Sequence, residues 1–330
     1  MSITQIAKEA GVSVSTVSRY LRGTLNVTPA VAEKINHAAS KSNYSTRSNT
    51  SRQDDAVALI IPSLQNPFYS ELAQSISQTG ISAGYQVDIK VSQGNPKIEE
   101  GLVRHITESQ YYGNLLYAGL NSTNPALSQS QASGIHIVLL DEHLNGSSLD
   151  MMDSVTVDNY SGAYQAVHYL LTLGHRHIAY LSGPQSLSTS KERFRGYSAA
   201  LAAMDIPTNE NIVFSGPYSE EFGSSIFPYL IESEPRPSAI FCGSDIAAAG
   251  LMAAAEQYGL KIPDDLSVVG CDGIHVSQWL KPSLTTLQQP IDEIALSAFN
   301  LIASSGECRH VQLPLNLVIR NSTARIAHRP

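Results

Sequence analysis

From Ala56 onward, short apolar runs alternate with amphipathic stretches, and the series happens twice. The first places strands at Val57–Ile61, Tyr85–Val91, Gly113–Tyr117 and His136–Leu140, with helical patterns over 67–82, 97–109 and 124–132. The second places strands at Ser154–Val157, His177–Leu181, Ile212–Phe214, Ala239–Cys242 and Ser267–Gly270, with helices near 160–173, 190–203, 219–231 and 245–258. Apolar strands separated by amphipathic helices imply parallel sheets covered on both faces. Two successive series imply two lobes. Doubly wound sheets bind ligands beyond the carboxyl ends of their strands. Facing lobes therefore put a cleft among the loops at 62–69, 141–143, 182–193, 243–245 and 271–275.

Residues 2–41 read differently, as three short helices. Ser2 with Gln5 three residues on fits a capping box. Ile3, Ile6, Ala7 and Ala10 form an inner face that Gly11 ends in a tight turn. Ser13 caps the next helix, where Val14, Val17 and Leu21 have helical spacing, and Thr28-Pro29 opens the third, with Val31, Ile35, Ala38 and Ala39 as its stripe. Residues 45–55 contain no apolar side chain and cannot offset their ordering entropy by burial, so they read as a linker.

Charge separates the same two parts. Residues 1–52 hold seven Lys or Arg against two Glu, whereas the remainder holds 14 basic and 27 acidic residues. A basic head on an acidic body is the pattern of a polyanion-binding module joined to a regulatory domain. No run approaches the roughly 20 apolar residues of a membrane span. The N-terminus lacks a basic start followed by an apolar stretch, so no signal peptide is expected. Three widely spaced cysteines, Cys242, Cys271 and Cys308, fit a reducing cytoplasm and make no metal motif. His175 and His177 alternate along a strand-like segment and need not converge on a metal. No catalytic set emerges, and neither an enzyme nor a cofactor is expected.

The segment Ile6-Ala7-Lys8-Glu9-Ala10-Gly11-Val12-Ser13-Val14-Ser15-Thr16-Val17-Ser18-Arg19-Tyr20-Leu21 closely resembles the helix-turn-helix of the lactose-repressor/galactose-repressor (LacI/GalR) family, and Asn43-Tyr44 resembles the end of that headpiece. Pro62–Tyr69, Val157–Asn159, Leu173–Ala179, Arg193–Tyr197, Ile262–Gly270 and Pro282–Thr286 resemble segments of the family's body in the same order. The resemblance implies an all-α helix-turn-helix headpiece (1–44), a linker (45–55) and an α/β effector domain (56–330) of two doubly wound parallel-sheet lobes, folded like a periplasmic sugar-binding protein. It implies three crossings between lobes, near 156–160, 287–291 and 319–322. The first lobe would then hold about 56–157 and 290–320, and the second about 158–288 and 321–330. It also implies a cytoplasmic homodimer that regulates transcription, most simply as a repressor.

By matching positions, Val14, Ser15 and Arg19 would read bases of operator double-stranded DNA. Arginine can grip guanine bidentately, and valine can pack on a thymine methyl. Ser2, Ser13, Thr16 and Ser18 would donate to phosphates, with Arg22 and Arg47 adding charge. Family members usually carry a longer linker with a Leu that wedges into the minor groove; no Leu stands between Tyr44 and Val57, and only Arg47 and Arg52 remain to enter it. In the cleft, the matching positions are Ser63, Phe68, Tyr69, Asp141, Arg193, Tyr218, Ser244, Asp272 and Gln289, a set suited to a sugar-like small molecule. Ser244 stands where the family more often has Asn. Two alternatives remain open at this point: control by a protein partner such as a phosphocarrier protein, and a solute-binding protein.

Overall fold

A computed structural model describes residues 3–21, 25, 27–41, 53–121, 123–144, 151–304 and 306–326. The headpiece comprises α1 (Ile3–Ala10), α2 (Val14–Leu21) and α3 (Pro29–Lys41). They close on Ile6, Ala7, Ala10, Val17, Ile35 and Ala38, with Val12, Tyr20 and Val31 packed at the margin. Val14, which shares the helical spacing of the inner stripe, instead faces outward with 43% of its surface exposed. Val12, in the turn before α2, packs against the core in its stead.

The first lobe begins with β1 (Gln53–Ile61), α4 (Pro67–Ser82), β2 (Gln86–Val91), α5 (Pro96–Ser109), β3 (Tyr112–Tyr117), α6 (Pro125–Ala132), β4 (His136–Leu140) and β5 (Asp153–Val157). Each of α4, α5 and α6 opens on an Asn-Pro pair. The side chains of Asn66, Asn95 and Asn124 accept from the backbone amides of Phe68, Lys97 and Ala126, while proline takes a position whose amide needs no partner. Along β1, Val57, Leu59 and Ile61 enter one core and Ala56, Ala58 and Ile60 the other. Successive side chains point to opposite faces, so a continuous apolar run is what a strand covered by helices on both sides requires.

The second lobe repeats the plan with α7 (Asn159–Thr172), β6 (Ile178–Ser182), α8 (Ser188–Ala202), β7 (Val213–Ser215), α9 (Glu220–Ser225), α10 (Phe227–Glu232), β8 (Ala239–Cys242), α11 (Asp245–Gln257), β9 (Ser267–Asp272) and β10 (Thr285–Gln288). The chain then adds α12 (Ile291–Ile302), β11 (His310–Leu313) and β12 (Asn316–Val318). The first sheet has the order β11-β5-β4-β3-β1-β2 and the second β12-β10-β9-β8-β6-β7. All pairs are parallel except β10 with β12. The two sheets thus share one strand order and differ in the direction of the edge strand, β11 or β12.

Three details depart from the sequence reading. The linker was expected to run to Asp55, but β1 starts at Gln53. One backbone and one side-chain bond hold this polar stretch without burial: Gln53 N donates to Tyr111 O at 3.0 Å, and Asn114 Nδ2 donates to Asp54 O at 2.8 Å. The residues expected to form the rest of the linker, 45–52, lie outside the described residues. The helix expected over 219–231 is two helices meeting at Ile226, because Pro228 has no amide to continue the first. The third crossing falls at Pro314-Leu315 and not at 319–322, since β11 pairs with β5 and β12 with β10. Pro314 cannot extend the parallel ladder of β11. Leu315 is buried against Gly162 of α7, and Asp158 N donates to Leu313 O at 2.8 Å, so the first and third crossings lie side by side.

Candidate DNA-binding and effector sites

Gly11, with φ of +69°, makes the turn between α1 and α2, a conformation that L side chains rarely adopt. Val12 N donates to Ala7 O at 3.1 Å and closes the end of α1. Ser13 Oγ accepts from Thr16 N at 3.0 Å and lies 2.7 Å from Thr16 Oγ1 and 2.8 Å from Ser15 Oγ, so three hydroxyls gather at the start of α2. Val17 is fully buried, and Tyr20 accepts a bond from Asn36 Nδ2 at 3.2 Å. These anchors turn Val14, Ser15 and Arg19 outward, with Ser18 half-buried beside them. Ser2, Arg22 and Arg47 lie outside the described residues.

In the body, the carboxyl ends of the strands face each other across the lobes. A chamber of about 20 Å³ is lined by Phe68 and Tyr69 from α4, Asp141 after β4, Arg193 from α8, Tyr218 before α9, Asp272 ending β9 and Gln289 on the second crossing. Asn66 and Thr189 complete its wall. Seven of the nine effector positions expected from the sequence therefore converge. Ser63 lines only the wider mouth of the cleft, a space of about 960 Å³ that shares Asn66, Tyr69 and Tyr218 with the chamber. Ser244 does not line the chamber; its Oγ accepts from Ala247 N at 3.3 Å and caps α11.

Arg193, 3% exposed, is the centre of the polar set. Its Nε donates to Asn159 Oδ1 at 2.7 Å and its Nη1 to Gly243 O at 2.5 Å. Its guanidinium lies 5.9 Å from the Tyr218 ring centroid, and Tyr218 is held by Ser190 Oγ at 2.9 Å. Asp141 and Asp272 both have positive φ, +68° and +121°. Non-glycine residues at such angles are strained and concentrate at functional sites. Burial, then repulsion from Glu142, pushes the Asp141 carboxyl up to about 7 against the pull of Arg193. Burial likewise raises Asp272 to about 7, with Arg193 opposing and Asp245 adding repulsion. Beneath Asp272, Asp245 accepts from Ile274 N at 3.0 Å and Thr286 Oγ1 at 2.5 Å, tying the loop after β9 to β10.

Two buried acceptors in the chamber, Asp141 Oδ1 and Gln289 Oε1, have no hydrogen-bond partner among the described residues. Buried polar atoms are nearly always paired, so the site is built to receive donors. A chamber of about 20 Å³ has room for about one water molecule. A larger ligand must merge it with the mouth, with which it shares Asn66, Tyr69 and Tyr218.

His175 plays no part here. It is buried, bonded through Nδ1 to Ser238 Oγ at 2.9 Å and through Nε2 to Ala324 O at 3.0 Å, and burial lowers its pKa. No group of three or more potential metal ligands occurs among the described residues. None of the described helices is long and apolar enough to cross a membrane.

A turn-linked helix pair with an outward-facing second helix, joined to two like lobes around a polar chamber, defines a ligand-responsive DNA-binding regulator. Comparison with known proteins gives the family. Residues 2–47 match the model for bacterial regulatory proteins of the lacI family, and residues 54–321 match that for periplasmic binding proteins and the sugar binding domain of the LacI family. The chain is 30% identical to the HTH-type transcriptional regulator DegA of Bacillus subtilis (strain 168) over 334 residues, covering 98% of each protein. It is 31% identical to the HTH-type transcriptional repressor CytR of Escherichia coli (strain K12) over 332 residues, covering 96% of this chain and 95% of CytR. Among solved structures, a complex of the transcriptional regulator CelR with cellobiose superposes with a TM-score of 0.74 at 26% identity, covering 98% of this chain and 99% of that one. The chain belongs to the LacI family of bacterial transcriptional regulators. These relatives are regulators and not solute-binding proteins, which removes that alternative.

Sequence reasoning missed Asn66, Thr189, Asn159 and Glu142. Thr189 stands four residues before Arg193, on the same helix face, so it was within reach of a spacing argument. Glu142 bonds to residues 46 and 47 positions away, and nothing local signals that.

Proposed function

We propose that this regulator binds operator DNA as a homodimer through α2 and that a sugar or sugar derivative bound between the lobes controls it. The observation that carries the effector reading is the pair of buried acceptors without partners, Asp141 Oδ1 and Gln289 Oε1, facing the same chamber as Arg193. Hydroxyl groups supply the missing donors and accept from the guanidinium, while Phe68, Tyr69 and Tyr218 give flat apolar surface for a sugar ring. The structural relative CelR was solved with cellobiose, which supports the same ligand class. On the DNA side, α2 enters the major groove with Val14, Ser15 and Arg19 at base edges, and two copies read two half-sites. Titration calorimetry with a panel of mono- and disaccharides, followed by DNA mobility shifts with each binder, tests the reading. A sugar that binds with a saturable heat and alters operator affinity is the expected result. Intact operator binding with no heat from any sugar would remove the sugar assignment.

A further inference from the structure

Glu142 follows β4 in the first lobe and is 4% exposed, yet its carboxylate is spent entirely on the second lobe. Oε2 accepts from Ser188 N at 2.8 Å, Ser188 Oγ at 2.6 Å and Thr189 N at 3.2 Å, and Oε1 accepts from Thr189 Oγ1. The next backbone amide, His143 N, donates to Ser188 Oγ at 2.8 Å. The partners of Glu142 and His143 all lie at the first turn of the 15-residue helix α8, which also carries Arg193 one turn further on. The N-cap residue of α8, Leu187, offers no side-chain bond, whereas Asn66, Asn95, Asn124, Asp158 and Ser244 each cap their own helices.

The start of a helix of this length, with free amides and a positive dipole end, is where a protein holds phosphate or carboxylate. Two amides and two hydroxyls converge there, facing the cleft, and a carboxylate of the protein already engages all four. Independently, the polar atoms that remain unpartnered in the chamber are acceptors, Asp141 Oδ1 and Gln289 Oε1. An anionic ligand group would meet Asp141 and Asp272, with Glu142 close enough to repel Asp141 and Arg193 as the sole cation among the lining residues described.

We propose that Glu142 is a positioning and selectivity residue of the effector site. It supplies the anion at the start of α8 from the opposite lobe, so that the lobes close around a neutral, hydroxyl-rich ligand and a phosphorylated or carboxylated one is turned away. The selectivity rests on the chamber being the effector site, whereas the placement of the carboxylate does not, and the two are tested apart.

The test uses the full chain, with no effector added. Glu142→Ala opens the α8 start to small anions. Its melting temperature in chloride is expected to fall several degrees below wild type, and to recover in formate at equal ionic strength, while wild type melts alike in both salts. On titration with inorganic phosphate, the Ser188 and Thr189 amide resonances are expected to shift in the variant and not in wild type. Glu142→Gln keeps the volume and one acceptor but not the charge; it is expected to melt below wild type and to ignore formate. A Glu142→Ala protein whose melting and amide resonances respond to these anions no more than wild type overturns the proposal. If that variant folds in neither salt, Glu142→Gln decides, and wild-type melting of the Gln form overturns it. Selectivity is read with a sugar that binds wild type and its phosphate ester. The ester should gain affinity relative to the sugar in Glu142→Ala, and an unchanged ratio overturns that half. Anion rescue in a protein that binds no sugar would instead fault the effector reading alone.

Discussion

Arg193 Nη2 lies 3.9 Å from Asp272 Oδ1, and each residue is tied to a different crossing between the lobes. Arg193 holds Asn159, which follows β5 on the first crossing and itself donates to Val157 O at 3.2 Å. Asp272 accepts from Gln289 Nε2 at 3.1 Å, and its carbonyl accepts from Gln289 N at 3.0 Å, on the second. A ligand group that competes for either charge therefore pulls on both hinge segments. This gives effector binding a physical route to the relative placement of the lobes, because the two states would differ in these bonds.

Arg193→Ala should leave Asp141 and Asp272 without their buried cation, and Asn159 Oδ1 and Gly243 O without a donor. Removing one partner of a buried pair costs about 3–5 kcal/mol, so melting should drop markedly and effector response should vanish. Arg193→Lys keeps the charge but lacks the planar fork that reaches both partners. It should retain more stability than the Ala form while losing ligand affinity. Thermal melts with calorimetry separate the two variants, and wild-type ligand affinity in the Lys form would show that the fork does not touch the effector.

The two chamber carboxylates set a pH dependence whose sign follows from their shift. Burial raises Asp141 and Asp272 from 3.8 to about 7 in the folded protein. Between those values the folded state binds more protons than the unfolded one, so stability falls as pH rises toward about 7 and recovers as pH falls. A ligand whose hydroxyls donate to ionised carboxylates favours the opposite form, so its affinity should be higher at about pH 8 than at about pH 6. Melting curves and calorimetry across that range test both signs. Asp141→Asn should flatten each profile, and an unchanged profile would place the titration elsewhere.

The fold was more legible than the site. The strand–helix alternation read directly because β1 is apolar on both faces. Most chamber residues came from matched positions, and Arg193, Asp141 and Asp272 do meet there. What was illegible depends on partners distant in sequence. Ser244 looks like a ligand donor in isolation, but its nearest amide is that of Ala247 in its own helix. The third crossing is set by which sheet β12 joins, and a three-residue strand carries too little pattern to show it.

Gly183 is expected to tolerate no side chain. A Cβ there would stand 2.0 Å from Cζ of Tyr218, which lines both chamber and mouth. Gly183→Ala must displace that ring and its bond to Ser190 Oγ. Overpacking of this kind costs roughly 1–3 kcal/mol. Effector affinity should weaken while operator binding without effector persists, as calorimetry and mobility shifts would show. An unchanged affinity would mean that the Tyr218 ring does not contact the ligand.

On the DNA side, Ser13, which precedes α2, and Arg19, on α2, should behave differently although they lie six positions apart. Ser13 caps α2 through Thr16 N at 3.0 Å, and losing such a cap costs about 1 kcal/mol of helix stability. Ser13→Ala should thus weaken binding to every sequence by a similar factor and lower the headpiece's own melting. Arg19 is exposed on the face that also carries Val14 and Ser15, and contributes to no part of the headpiece core. Arg19→Ala should cost roughly 1–3 kcal/mol on the cognate operator and, unlike Ser13→Ala, relax preference at one base pair per half-site. Binding selection from a randomised operator, read beside thermal melts and a salt series, distinguishes the two. A salt slope reduced by about one with base preference intact would assign Arg19 to a phosphate, and base reading would then fall to Val14 and Ser15 alone.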